Sequence, residues 1–257
     1  MTIGLAERVE WGGVKSVLFR PGKQLPSPEL VVVLCHGYGA PAGDLVGLAQ
    51  AFVAGSPALS ERVAFVFPAA ILDMAGQGLP GGRAWWPLDL DRLLNRPSAE
   101  TLVSFRRDCP AGMTEAMTAL AGLVEAASRE LSVPQERFVL GGFSQGSMLA
   151  IDVALRMPAG PAGLIVLSGS LVNETQWRDL APRHAPLIVL QSHGRRDQIL
   201  PFSQAEALRD LLVGQGSEVE FIPFDGFHEI PPVVVNRAAA MLERLLKLRD
   251  RGENALA

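Results

Sequence analysis

The amino-acid sequence predicts an α/β protein with a mostly parallel, doubly wound sheet and helices on both faces. Short β-branched runs alternate along the chain with longer segments in which apolar residues recur at helical spacing. Several of the short runs are apolar at every position, which is typical of strands covered by helices on both sides. Strands alternating with helices indicate right-handed crossovers. We find no internal repeat and no linker, so residues 1–257 are expected to form one domain.

The predicted strands are short runs dominated by Val, Ile, Leu and Phe. In chain order they are Val14–Phe19, Leu30–Cys35, Val63–Phe67, Phe138–Gly141, Leu164–Ser168, Leu187–Ser192 and Val219–Pro223.

The predicted helices lie between these strands. Thr114–Leu131 has apolar residues at alternating spacings of three and four, so one of its faces packs on the sheet. Gly146–Met157 directly follows a strand. A later helix is predicted to open with a capping box at Ser203 and Glu206 and to stop at Gly214. The last one follows two consecutive prolines near the C-terminus.

The composition excludes several classes of protein. The net charge of −4 offers no electrostatic footprint for nucleic acid. Hydrophobic residues make up 48% of the chain, which is ample for a large core and too many for a disordered chain. Two cysteines cannot form a disulfide framework, and no histidines or cysteines have metal-ligand spacing. The charged N-terminus and the lack of long apolar runs predict a cytoplasmic protein without stable membrane insertion.

One long segment, about 71–112, breaks the alternation of strands and helices. It is rich in glycine and proline and contains the pair Trp85-Trp86. An irregular segment of this length inside a compact domain is usually functional or mobile, so we expect it to act as a lid or to line a pocket.

The string Gly142-Phe143-Ser144-Gln145-Gly146 is a G-x-S-x-G motif. Such a string is a weak signal alone, but here it joins a predicted buried strand to a predicted helix. That context is the one a nucleophile elbow requires, because the sharp turn lifts the serine hydroxyl above the sheet edge. The sequence therefore predicts Ser144 as a nucleophile.

A serine hydroxyl needs a base, and the chain contains four histidines. His184 precedes a strand and is expected at the opposite edge of the sheet. His36, His193 and His228 each follow a strand, so position alone retains all three. His228 fits best because it comes last, which is the order of serine, acid and histidine in α/β-hydrolases.

The acid that orients the histidine is predicted to be Asp197, which follows an intermediate strand; Asp225 is the rival. For the oxyanion hole we predict the N–H of Gln145 and an N–H from the loop after Leu30–Cys35, with Tyr38 as the best candidate.

These strings together resemble the carboxylesterase/phospholipase family, which includes acyl-protein thioesterases and lysophospholipases. The resemblance is carried by Cys35-His36-Gly37-Tyr38-Gly39, Gly141-Gly142-Phe143-Ser144-Gln145-Gly146, His193-Gly194 with Asp197, and Gly226-Phe227-His228, within a span of about Leu30 to Leu246. It implies an α/β-hydrolase fold without a large separate cap, and hydrolysis of acyl esters or thioesters. By motif position it implies the triad Ser144, Asp197 and His228, with Tyr38 and Gln145 as oxyanion residues.

The resemblance also implies that Gly82-Arg83-Ala84-Trp85-Trp86 corresponds to a segment that lines the acyl pocket. The predicted pocket residues are Trp85, Trp86, Leu72 and Met74, with Leu79 and Leu88 as further members of an apolar lip. The alternative is that these side chains only cover the edge of the sheet. The segment is longer here than in compact members of the family, and it has Trp86-Pro87-Leu88-Asp89 where they have Trp-Phe-Asp.

The sequence thus predicts a serine hydrolase that acts on a small-molecule or lipid acyl ester or thioester, with no cofactor and no metal. A non-catalytic binding protein with the same fold is one alternative. A dinucleotide-binding oxidoreductase is another, because Gly37 to Ala42 fits G-x-G-x-x-A after a strand, although no acid follows the next strand. Acyl chain length stays open, as does the oligomeric state, with a homodimer among the options.

Overall fold

The computed structural model describes residues 4–22, 27–88, 105–184 and 186–254. In this part of the chain the strands are β1 (Leu5–Trp11), β2 (Val14–Arg20), β3 (Leu30–Cys35), β4 (Val63–Pro68), β5 (Leu72–Asp73), β6 (Arg83–Ala84), β7 (Phe138–Phe143), β8 (Gly163–Leu167), β9 (Ile188–Gly194) and β10 (Glu218–Phe224). The helices are α1 (Val46–Val53), α2 (Pro57–Arg62), α3 (Met113–Leu131), α4 (Gln145–Arg156), α5 (Glu174–Leu180), α6 (Phe202–Gly214) and α7 (Pro232–Asn254).

Within the described ranges, the main sheet has eight strands in the order β1-β2-β4-β3-β7-β8-β9-β10. The six strands from β4 to β10 in this order run parallel, whereas β1, β2 and β4 pair antiparallel. Strands β5 and β6 form a separate two-stranded sheet.

The helices cover both faces of the sheet, because alternate residues of each central strand point to opposite sides. In β3, Val31, Val33 and Cys35 join the core beneath α3, α4, α5 and α6. Val32 and Leu34 join the core beneath α1, α2 and α7. The predicted doubly wound arrangement is confirmed, and the carboxyl ends of the parallel strands form one edge where the site described below is located.

Several local features differ from the sequence-based expectations. Strands β5 and β6 and helices α1, α2 and α5 were not predicted. Strand β1 was not predicted; it pairs with β2 through a tight connection at Gly12 and Gly13, whose φ angles are 58° and 77°. Helix α6 begins after Pro201 without a side-chain cap, so the predicted capping box at Ser203 is wrong.

Part of the predicted irregular segment, residues 89–104, lies outside the described residues. Residues 71–88 contain β5, β6 and a 3-10 turn at Ala75–Gln77. None of the helices in the described ranges is long and apolar enough to cross a membrane. That the whole chain forms one domain stays a prediction.

Candidate active site

Ser144 lies at the sharp turn between β7 and α4, as the motif predicts. Its backbone has φ 54° and ψ −120°, a conformation that costs a non-glycine residue about 1–3 kcal/mol. Its N–H donates to the Leu167 carbonyl at 2.8 Å, which ties the turn to the neighbouring strand β8. The strain at this serine is what a nucleophile elbow requires.

The glycines on either side of Ser144 allow the elbow to sit against the end of β3. A Cβ atom on Gly142 would lie 2.4 Å from the Cys35 carbonyl oxygen. A Cβ atom on Gly146 would lie 2.2 Å from the same oxygen and 2.5 Å from that of His36. Both positions therefore exclude any side chain.

His228 and Asp197 are brought together from separate loops at the carboxyl edge of the sheet. His228 Nδ1 lies 2.7 Å from Asp197 Oδ2. Because a carboxylate can only accept, Nδ1 carries the proton and Nε2 of the neutral ring is left as the basic nitrogen. The ring packs on Phe143, with the two centroids 4.7 Å apart.

The Asp197 carboxylate accepts several hydrogen bonds. Its Oδ1 accepts the N–H groups of Ile199 and Leu200, each at 2.9 Å. The buried His193 places Nε2 at 3.2 Å from Oδ2 and at 2.8 Å from the Leu200 carbonyl oxygen. Burial raises the pKa of Asp197, but the hydrogen bonds from His193, His228 and Leu200 outweigh it and hold the pKa well below its ordinary value. Asp197 is therefore a fixed anion.

The other candidate acid and the other histidines make different contacts. Asp225 is exposed and pairs with Arg196 at 2.9 Å. His36 is buried; its Nδ1–H donates to the Gly37 carbonyl at 2.8 Å, and its Nε2 accepts the Ala70 N–H at 3.1 Å. His184 lies in the 3-10 turn before β9, at the opposite edge, as expected. His193, which sequence position could not separate from His228, contacts Asp197 from the buried side.

Ser144 and His228 line one cavity of about 260 Å³ but are not hydrogen-bonded to each other in this structure. Hydrogen bonds between a catalytic base and its nucleophile often form only once substrate is bound. The rest of the lining is mostly apolar and consists of Gly37, Tyr38, Leu88, Phe105, Phe143, Met148, Ile199 and Leu200. The cavity suits an uncharged chain beside a nucleophile.

The predicted pocket residues do not line this cavity, apart from Leu88 of the wider lip. Trp85, Trp86 and Met74 are buried in the interior, and Leu72 is half-buried in β5. The two tryptophan side chains lie in the core, and the backbone on which they stand pairs with the buried Gln145 side chain. The family resemblance indicated an aromatic segment at the acyl pocket, but not the direction of its side chains.

Both predicted oxyanion donors lie next to Ser144. Gln145 is the first residue of α4, so its N–H has no acceptor within the helix. The Tyr38 N–H follows Gly37, where a Cβ atom would lie 3.6 Å from the Ser144 Cβ. Within the described ranges, neither N–H donates to another protein group. Both are therefore available to a ligand.

Comparison with known proteins places this geometry in context. A family model described as phospholipase/carboxylesterase matches residues 23–246. The chain belongs to this family. Membership identifies it as an esterase-type hydrolase with an α/β-hydrolase fold, which confirms the predicted fold and family.

Curated relatives of this phospholipase/carboxylesterase family member align with most of its length. An acyl-protein thioesterase 1 from Eremothecium gossypii is 28% identical over 215 residues, covering 82% of this chain and 86% of that protein. One from Mycosarcoma maydis is 25% identical over 248 residues, covering 91% and 98%. The crystal structure of esterase PE8 superposes with a TM-score of 0.73 at 24% identity, covering 95% and 99%, and shows the shared fold.

The dinucleotide-binding oxidoreductase alternative is wrong, because the chain belongs to a different family. The segment from Gly37 to Ala42 forms a loop, and α1 begins only at Val46. A dinucleotide fingerprint needs its glycines at the start of a helix that binds the pyrophosphate, and this loop provides none.

Proposed function

We propose that this protein hydrolyses carboxylic esters or thioesters through an acyl-enzyme on Ser144. His228 acts as general base and acid, and Asp197 orients it. The observation that carries the proposal is the 2.7 Å contact of His228 Nδ1 with Asp197 Oδ2, at the rim of the apolar cavity that also contains Ser144. Support for including Ser144 comes from its place at the same edge of the sheet, where it lines the cavity together with His228.

The reaction follows from the tautomer of His228. Nε2 takes the Ser144 Oγ proton as the oxygen attacks the acyl carbon, and the resulting imidazolium is stabilised by Asp197. The bond from carbon to the leaving oxygen or sulfur then breaks, and His228 returns the proton to the leaving group. Water, deprotonated by His228, attacks the acyl-enzyme, and Ser144 leaves with the proton as the carboxylic acid is released.

Negative charge forms on the carbonyl oxygen in both steps. We assign the N–H groups of Tyr38 and Gln145 to that oxygen, since both lie beside the nucleophile and neither donates to another group among the described residues. Loss of one such donor typically costs about 10² to 10³ in rate.

The cavity supports an acyl substrate. Leu88, Phe105, Met148, Ile199 and Leu200 offer no charged group to a ligand, which favours a hydrocarbon chain on the acyl side. The relatives named acyl-protein thioesterase support the inclusion of thioesters. A small-molecule or lipid ester fits this lining.

Two further expectations stay predictions from the sequence: the cytoplasmic location, and a homodimer as one of the possible oligomeric states.

The direct test is Ser144→Ala with p-nitrophenyl acetate as substrate. We expect hydrolysis to fall by about 10⁴-fold or more, to near the background, because no other group replaces the nucleophile. Ser217→Ala is the control for a serine outside the site: Ser217 is buried and precedes β10 at the opposite edge of the sheet. Full activity in Ser144→Ala would refute the assignment, and a wild-type protein that binds the ester without cleaving it would favour the non-catalytic alternative.

A further inference from the structure

The two N–H groups assigned to the oxyanion hole belong to different segments of the chain. Tyr38 lies in the loop after β3, and Gln145 opens α4 after β7. Strand pairing sets Cys35 opposite Gly142, just before these two segments diverge. Donors stabilise a developing charge best when they are already fixed in place. Because the two segments diverge after the strands end, contacts outside the sheet are needed to fix their relative position.

Residues 83–86, which we call the brace segment, bond to both sides. On the α4 side, the Trp85 N–H donates to Gln145 Oε1 at 2.9 Å, and Gln145 Nε2 donates to the Trp86 carbonyl at 2.8 Å. The Gln145 side chain is completely buried, and both ends of its amide are satisfied by one stretch of backbone. The first residue of α4 is thereby clamped to the brace segment.

On the β3 side, the same tryptophan bonds through its ring. The Trp85 indole N–H donates to the His36 carbonyl at 2.9 Å. The backbone of Arg83 adds two bonds: its carbonyl accepts the Gly39 N–H at 2.8 Å, and its N–H donates to the Ala40 carbonyl at 3.2 Å. The loop that contains Tyr38 is therefore held on both sides of that residue.

His36 fixes the direction of the Tyr38 N–H. The Gly37 carbonyl and the Tyr38 N–H belong to one planar trans peptide, so they point in opposite directions. The His36 Nδ1–H holds the Gly37 carbonyl at 2.8 Å, and the Ala70 N–H holds the far side of the imidazole at 3.1 Å. Anchoring of this carbonyl orients the oxyanion donor on the other side of the peptide.

We propose that Trp85 and the side chain of Gln145 are positioning residues that fix the spacing of the two oxyanion N–H groups. Trp85 does not line the cavity, so it acts on the reaction through His36 and Gln145 rather than by touching substrate. The inference rests on the proposed hydrolase function. It assigns Trp85 a role that pocket lining does not explain.

The test is Trp85→Phe, which removes the indole N–H donor but keeps an aromatic ring in the core. We expect kcat for p-nitrophenyl acetate to fall about 10- to 100-fold, since a small misplacement of a catalytic group has costs of that order. KM should stay within about twofold, because the substrate pocket is unchanged. Inhibition by an aryl trifluoromethyl ketone, which forms an oxyanion on serine, should weaken by a factor similar to that for kcat. The pH midpoint of kcat/KM should not move, because His228 and Asp197 are untouched.

Trp177→Phe is the matched control. Trp177 is also a completely buried tryptophan with one indole hydrogen bond, donated to Asp152 at 2.8 Å. It does not line the cavity, so its variant should lose thermal stability without a fall in kcat. Gln145→Met is a second test variant. It removes the side-chain amide that bonds to the backbone of Trp85 and Trp86, and it keeps the backbone N–H of residue 145. It should show the same selective fall in kcat, and it decides the matter if Trp85→Phe does not fold.

The outcomes separate this inference from the proposed function. If Ser144→Ala is inactive while Trp85→Phe matches Trp177→Phe in kcat and in ketone affinity, the positioning role is wrong and the hydrolase function stands. A rise in KM with kcat unchanged would also overturn it, because Trp85 would then contribute to the substrate pocket. If Ser144→Ala remains active, the hydrolase assignment itself fails.

Discussion

Asp197 and His36 are buried titratable side chains whose surroundings shift their pKa values for different reasons. At Asp197, burial raises the pKa, but hydrogen bonds from two histidines and a backbone N–H lower it further than burial raises it. At His36, burial lowers the pKa, and the bond to Gly37 and the charge of Asp44 offset only part of that shift. Asp197 therefore stays ionised and His36 stays neutral at neutral pH.

The lowered pKa of His36 predicts a loss of stability on mild acidification. Unfolded His36 takes up a proton near its ordinary pKa of about 6.5, whereas folded His36 does so only at lower pH. The contribution of neutral, folded His36 to the free energy of unfolding is therefore complete above the ordinary pKa of about 6.5. It is lost as the pH falls below about 6.5. The slope for this single proton is at most about 1.4 kcal/mol per pH unit.

Urea unfolding of the wild type and of His36→Asn between about pH 7.5 and 5.5 measures this effect. The asparagine amide can still donate to the Gly37 carbonyl, but it does not titrate, so the variant should show the shallower dependence on pH. Asp197 does not interfere, because its carboxylate contribution is lost only as the pH falls through a folded pKa below about 3.8. Equal slopes for the two proteins would contradict the account of His36.

Single residues also show what the sequence could and could not provide. The motif and the order of strands were enough to nominate Ser144, Asp197 and His228, since each follows a strand at the same edge. The second contact to Asp197, from His193, could not be chosen, because strand position alone made His193 and His228 equivalent. The burial of Trp85 was missed because its indole bonds to the His36 carbonyl, a partner distant in sequence that the folded chain brings close.

At the scale of elements, the turn from β7 into α4 depends on close approach to β3. Among the glycines of this turn, Gly146 leaves the least room for a side chain. A Cβ atom added there would lie against the Cys35 and His36 carbonyl oxygens. A methyl group there must displace either the elbow or the end of β3. Both movements would disturb the surroundings of Ser144.

Gly146→Ala is therefore expected to destabilise the protein by about 3 kcal/mol or more. Gly47→Ala is the matched control, because Gly47 is also helical but has no heavy atom within 4 Å of the added Cβ. That variant should gain about 0.5–1 kcal/mol from helix propensity. Chemical denaturation checks both values, and a Gly146→Ala protein as stable as the wild type would disprove the contact.

The predicted strands and helices lie within a few residues of observed elements, but β5, β6, α1, α2 and α5 were not predicted. Strand β1 was also missed. It lies at the edge of the sheet, where one side faces solvent, so it contains the charged residues Glu7, Arg8 and Glu10 and lacks the apolar run by which the other strands were predicted. The Gly12-Gly13 pair was the available signal, because two residues with positive φ favour a tight hairpin. The capping box at Ser203 failed because Pro201 already sets the start of α6.

At the scale of the whole molecule, the parallel sheet explains why distant residues meet. Strands β3, β7, β9 and β10 all end at one edge, and each is followed by residues of the site. The sequence predicted this convergence because it depends only on strand direction and order. The cavity lining was not predictable, since it combines side chains from separate loops whose packing is a property of the folded chain.

The most direct test of the account is to locate the covalent adduct formed with a fluorophosphonate. The wild-type protein is treated with the reagent, digested and mapped by mass spectrometry. Activation of Ser144 by His228 predicts one adduct, on the peptide that contains Ser144, and none in Ser144→Ala. An unmodified Ser144 in folded wild-type protein, or an adduct formed equally in the variant, would contradict the claim that this serine is the nucleophile.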